Sequence, residues 1–200
     1  MVTNNSRMLL VAPMAIFGLS GIGFYLYFMY APAGGAFHDN LVPELLGFCL
    51  EGFFLVGLLT LVQASRERAR KKELWLSLRG VLRGILSNVD IAFLSPNTEP
   101  AETKLLEEDK EIVGHYMKEL KDNRLNLRAM TSLKKESIAT LSLARDMIPV
   151  AAQLSAEHMR WWIAIVDSMR QLSKASNRES IEQNLFLLLE NMNEFDGLDL

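Results

Sequence analysis

Two apolar runs occupy the first third of the chain, and the remaining two thirds alternates apolar and charged positions at helical spacing. From Met8 to Tyr30 the sequence MLLVAPMAIFGLSGIGFYLYFMY carries no charged residue. At about 1.5 Å per residue such a run crosses a hydrocarbon core of about 30 Å. Pro13, Gly18, Gly21 and Gly23 would weaken a soluble helix, but a membrane helix tolerates them. The second run, Leu45 to Val62, is interrupted only by Glu51. Pro43 and Glu44 open it, since proline suits a first helical turn and a carboxylate suits the positive end of the helix dipole. The connecting APAGGAFHDN is too short to fold alone. The pattern therefore predicts two spans, over about 8–30 and 43–63, paired as a transmembrane hairpin in residues 1–64.

No stop signal comes after the second span. Trp75, Leu78, Leu82, Ile85 and Val89 recur at spacings of three and four, so the same helix is expected to run on, with Gly80 and Gly84 marking a bend or a close helix contact. Ser95-Pro96-Asn97 should end it, and Thr98-Glu99-Pro100 should start the next element. Further apolar stripes run through Leu105, Leu106, Ile112, Val113, Tyr116, Met117 and Leu120, with a turn at Lys121-Asp122-Asn123, and then through Met130, Leu133, Ile138, Leu141 and Ile148 up to Pro149. A fourth stripe uses Leu154, Trp161, Ile165, Met169 and Leu172. The last uses Ile181, Leu185, Leu188, Leu189, Met192 and Phe195, opened by a capping box of Ser176 with Glu179 and closed by Gly197. No stretch shows the period-two alternation of an exposed strand. The expected fold is an all-α membrane protein whose two-helix hairpin continues into a cytoplasmic bundle of four or five helices over residues 65–200.

Charge sets the orientation. Arg7 precedes the first span, the connecting loop holds no Lys or Arg, and Arg66, Arg68, Arg70, Lys71 and Lys72 come after the second. The positive-inside rule then puts both termini in the cytoplasm, as in a bacterial inner membrane, with the basic cluster as a stop-transfer anchor against lipid headgroups. Tyr25, Tyr27 and Tyr30 fit an aromatic belt at the outer interface. Ala31-Pro32-Ala33 has the form of a signal-peptidase site, but the run before it exceeds the usual 7 to 15 apolar residues by about half or more, which favours an intact hairpin. A net charge of -3 and a pI near 5.7 argue against nucleic acid as a partner. The single cysteine, Cys49, rules out an intramolecular disulfide and a cysteine-built metal site.

Glu51 is the one acid inside an apolar run. Entering near Leu45, the span would place it about 9 Å below the outer edge of the core, where a charge costs about 2.5 to 3.5 kcal/mol on insertion scales. It should therefore face protein or water. Glu44 and Gly47 share its helix face, and Tyr25 and Tyr27 are the candidate hydrogen-bond donors at its depth. One reading makes Glu51 a hydrogen-bonded packing residue between helices or protomers; the other has several copies lining a polar path for protons or cations.

Catalytic candidates are thin. Glu111 and His115 are spaced as an exposed ion pair, not as the Glu-x-x-His of di-iron bundles, and no H-E-x-x-H or glycine-rich phosphate loop occurs. His158 lies on an apolar stripe and reads as a core histidine, while Trp161 and Trp162 beside Arg160 read as packing before stacking. No cofactor is implied. The expected function is non-enzymatic: a membrane-anchored interaction or assembly protein that binds lipid and, through its bundle, itself or a protein partner. The alternative is an oligomerising, membrane-disrupting effector. Its layout is similar to that of small two-span toxins and anti-phage effectors, an analogy that no motif carries.

Overall fold

The structure is a computed structural model describing residues 3–30, 35, 37–94 and 99–199; Ala31-Pro32-Ala33 and Ser95 to Thr98 lie outside the described residues. Among the described residues there is no strand. Helix α1 spans Thr3–Tyr30, and a π turn over Phe37–Leu41 leads into the 52-residue helix α2, Val42–Phe93. Six more helices follow among the described residues: α3 Thr103–Glu108, α4 Ile112–Asp122, α5 Leu127–Asp146, α6 Ile148–Leu154, α7 Ala156–Lys174 and α8 Arg178–Asp196. The chain divides into two compact units, Met1–Arg68 and Ala69–Leu200.

In the first unit, two stretches are long and apolar enough to cross a membrane: Ala12–Tyr30, at mean hydropathy 1.5, and part of Asp39–Phe93, at 2.2. Almost none of their residues is buried; Leu19, Phe48, Phe54 and Leu61 are among the large apolar side chains left exposed. A Cβ added to Gly18 would stand 3.5 Å from the Phe53 ring, and one on Gly21 would stand 3.4 Å from the Cβ of Cys49. The two stretches therefore run antiparallel. Gly52 lies at this approach: a Cβ there would come within 2.6 Å of the Phe17 ring, which would have to shift.

The second unit is a helical bundle. Its core joins Trp75, Leu78, Leu82, Ile85 and Val89 of α2 to Val113 and Tyr116 of α4, Leu133 of α5, Trp162, Ile165 and Met169 of α7, and Leu185, Leu189 and Phe195 of α8. Helix α7 is the centre, packing on α5, α6 and most extensively on α8, while α4 covers α8. Local chemistry fixes the boundaries. Asn126 caps α5 by accepting from the Ala129 amide at 2.8 Å, Ser155 caps α7 by accepting from the His158 amide at 3.1 Å, and Lys134 Nζ donates to the Ala175 carbonyl just past the end of α7 at 2.8 Å.

Several expectations need correction. Helix α8 is capped one residue later than Ser176: Asn177 accepts from the Ser180 amide at 2.8 Å, and the box is Asn177 with Ser180. The element expected from Thr98 begins at Thr103, and its stripe is split, with Asp109 extended between α3 and α4. Of the two roles expected for Gly84, the close helix contact is the one seen: it lies against the Glu136 side chain of α5. On α5, Ile138 is exposed while Ser137 and Thr140 are buried, because the small hydroxyl residues return their donors to Leu133 and Glu136 one turn back. The stripe of α7 holds at Ile165, Met169 and Leu172 but differs at its start: Leu154 belongs to α6, and Trp162 rather than Trp161 is fully buried.

Candidate functional site

Glu51 stands on the apolar part of α2, exposed at the wall of a shallow groove formed with Phe17, Phe48, Gly52 and Leu55. Among the described residues nothing hydrogen-bonds or ion-pairs with it. The pairing contacts fix its level. Since Gly21 meets Cys49 and Gly18 meets Phe53, Glu51 is level with Leu19 and Ser20. Tyr25 and Tyr27, both about half exposed, lie more than a turn away, near the level of the exposed Glu44. Helical backbone reaches back to Phe37, well ahead of the apolar run at Leu45, so equal depth cannot be counted from the ends of the two apolar runs. Gly47 has open space around it.

The basic cluster lies on α2. Arg66, Arg68, Arg70 and Lys72 are exposed and Lys71 is half-buried. Arg70 is committed to the bundle, donating from Nη2 to Gln153 Oε1 at 2.7 Å.

A second polar centre, unseen in the sequence, is buried in the bundle. Arg79 and Asp196 are both buried, and Arg79 Nη1 meets Asp196 Oδ2 at 2.6 Å. The same guanidinium donates to the carbonyls of Leu106 at 3.1 Å, Glu107 at 3.3 Å and Asp109 at 2.5 Å. It thus clasps the C-terminal end of α3, where a helix presents unpaired carbonyls and partial negative charge. Two cations approach the Trp75 ring, Arg79 Cζ at 5.5 Å and Lys110 Nζ at 5.2 Å from its centroid. His158 Nδ1 shares a 2.8 Å hydrogen bond with Ser155 Oγ, and its ring abuts Phe195 edge-on at 5.3 Å. Beside this centre Asp90 accepts from Tyr116 Oη at 2.9 Å and from the Ala101 amide at 2.8 Å, tying α2 to α4 and to the segment ahead of α3.

Burial dominates the proton affinities. It pushes Asp196 up to about 7, with Arg79 and Lys110 pulling the other way. Burial, and after it Lys71 and Lys110, pushes His158 down. A carboxyl raised on folding contributes stability that is present below its unfolded pKa and is lost as pH rises through the folded value. The stability of wild type relative to Asp196→Asn should therefore decline between about pH 4 and pH 7, in thermal melts of the two full-length proteins over that range. A difference that is flat, or that grows with pH, would show that ion pairing with Arg79 outweighs burial.

The remaining candidates stay apart. Glu111 and His115 are exposed and one helical turn apart, the His115 amide donating to the Glu111 carbonyl at 3.2 Å, yet their side chains form no ion pair among the described residues. Arg160 stacks 5.6 Å from the Trp161 ring, whereas Trp162 Nε1 donates to the Ala144 carbonyl at 2.8 Å inside the core. Among the described residues no group of three or more His, Cys, Asp or Glu could hold a metal ion. No protein-family model matches the chain, nor does any curated protein or solved structure.

Proposed function

We propose that the chain is a membrane-anchored, non-enzymatic interaction and assembly protein: a transmembrane hairpin with both ends in the cytoplasm, carrying a helical bundle that binds itself or a protein partner. The observation that carries this reading is the contrast between the units. Both apolar stretches of the first leave their side chains uncovered, whereas the second encloses a core of its own. A soluble protein would hide surface of that kind, and lipid is the solvent that accepts it.

A second reading is the membrane-disrupting effector, in which several hairpins assemble into a leak. It is favoured by Glu51, which has no hydrogen-bond or ion-pair partner among the described residues, since acids inside spans often mark ion paths. One set of cells tests both. Reporters fused after Arg7 and after Lys72 should both read cytoplasmic, and wild-type protein should leave the membrane potential unchanged. An external amino terminus would defeat the hairpin. Depolarisation by wild type that Glu51→Gln abolishes at equal expression would replace the leading reading with the effector.

A further inference from the structure

Glu51 is exposed on an apolar stretch with no partner of its own among the described residues, and Ser20 is level with it on the other helix. Ser20 is the only hydroxyl residue between Met8 and Phe24, and no hydrogen bond engages it among the described residues. The two also share a side of the antiparallel pair. With 3.6 residues per turn, and with Gly18 and Gly21 turned toward Cys49 and Phe53, Ser20 and Phe24 fall on the side that carries Phe48 and Leu55, and Glu51, half a turn from the Cys49–Phe53 seam, lies at the outer edge of that side. Phe17 lies at the seam, and Ser20, Gly23 and Phe24 line a shallow groove of their own.

We propose that this face docks a second copy of the chain about a two-fold axis along the membrane normal, the Ser20 hydroxyl of each copy donating to the Glu51 carboxylate of the other. The inference rests on the membrane-anchored reading of the hairpin. Symmetry selects the occupant. Rotation about the membrane normal preserves depth and lays α1 of one copy over α2 of the other, so the group brought to Glu51 is the α1 residue at its own level. That residue carries the one donor this part of α1 possesses. Lipid tails offer no donor, and an intramembrane carboxylate is normally met by protein or water. A face-to-face contact forms two identical Ser20–Glu51 pairs and leaves neither acid against hydrocarbon.

The test uses two differently tagged full-length chains, each with Cys49→Ala, one carrying Ser20→Cys and the other Glu51→Cys, co-expressed and oxidised in the membrane. A mixed disulfide should form, and it should be lost when Leu19→Cys, exposed on the opposite side, replaces Ser20→Cys. A second readout needs no cysteine chemistry. In phosphatidylethanolamine–phosphatidylglycerol vesicles, energy transfer between labelled chains should report about tenfold weaker self-association for Glu51→Ala and for Ser20→Ala. Glu51→Gln, whose amide oxygen still accepts, should stay within about threefold of wild type. Chains that resist alkaline extraction yet are monomeric, or that cross-link equally through Leu19, would overturn the proposal and leave the membrane anchor standing. Release of the wild-type chain by alkali would overturn both.

Discussion

Arg79→Ala should lower the stability of the bundle by about 3 to 5 kcal/mol, the loss expected when one member of a buried ion pair is removed. In a chain of this size that corresponds to a fall in melting temperature of roughly 10 °C or more, measured by circular dichroism on the full-length protein in detergent. Two losses combine. Asp196 would be left charged or forced to take a proton in a site that excludes water, and the carbonyls of Leu106, Glu107 and Asp109 would lose their donors. The double variant Arg79→Met/Asp196→Leu separates the terms. It removes both charges and should recover part of the loss, because buried pairs are often replaced by apolar residues at little cost. It cannot recover the clasp on α3, so it should remain below wild type. Recovery to wild-type stability would mean that the carbonyl contacts contribute nothing, and an unchanged melt of Arg79→Ala would remove the buried pair as a stabilising element.

Little in the sequence singles out this pair, and the reason is physical. In LSLRGVLRGIL, Arg79 and Arg83 are four residues apart and look alike, yet Arg83 is about half exposed and Arg79 is buried. The usable signal is position. Trp75, Arg79, Leu82, Leu86 and Val89 are all buried on α2, so the arginine occupies a stripe site where an apolar residue is the default. Asp196 extends the stripe of α8 in the same way, next to Phe195. A charge at a stripe position on each of two helices invites a search for a pair, although which charges meet depends on packing across a sequence separation of 117. The helices themselves are far more legible. Periodicity alone marks the apolar stretches, the unbroken run of α2 past Val62 and the stripes of α4, α7 and α8. It fails where packing is set by small residues, as with Ser137, Thr140 and Ala144 on α5. It fails again at the level of Glu51, because the helical start at Phe37 is written in no apolar pattern.

The tryptophans of EHMRWW give the sharpest contrast between pattern and packing. Spacing from Leu154 places Trp161 on the core stripe, but Ser155 breaks the helix between them and restarts it as α7, so a count from Leu154 does not carry across, while Ile165, Met169 and Leu172 are buried as spaced. Trp162 then fills the interior. It is fully buried, donates from Nε1 to the Ala144 carbonyl of α5 at 2.8 Å, and packs on Phe195 with ring centroids 5.6 Å apart. Trp162→Ala would open a cavity where α5, α7 and α8 meet and leave that carbonyl without its donor, so it should cost about 3 to 5 kcal/mol. Trp162→Phe, which fills most of the space but keeps no donor, should cost clearly less, by the difference between a hydrogen bond and a cavity. Trp161 is only partly covered, with Arg160 stacked on it, and Trp161→Ala should cost about 1 kcal/mol or less. Denaturant titration of the full-length protein with the three variants decides the order. Equal losses from Trp161→Ala and Trp162→Ala would mean that the register of α7 is not the one described.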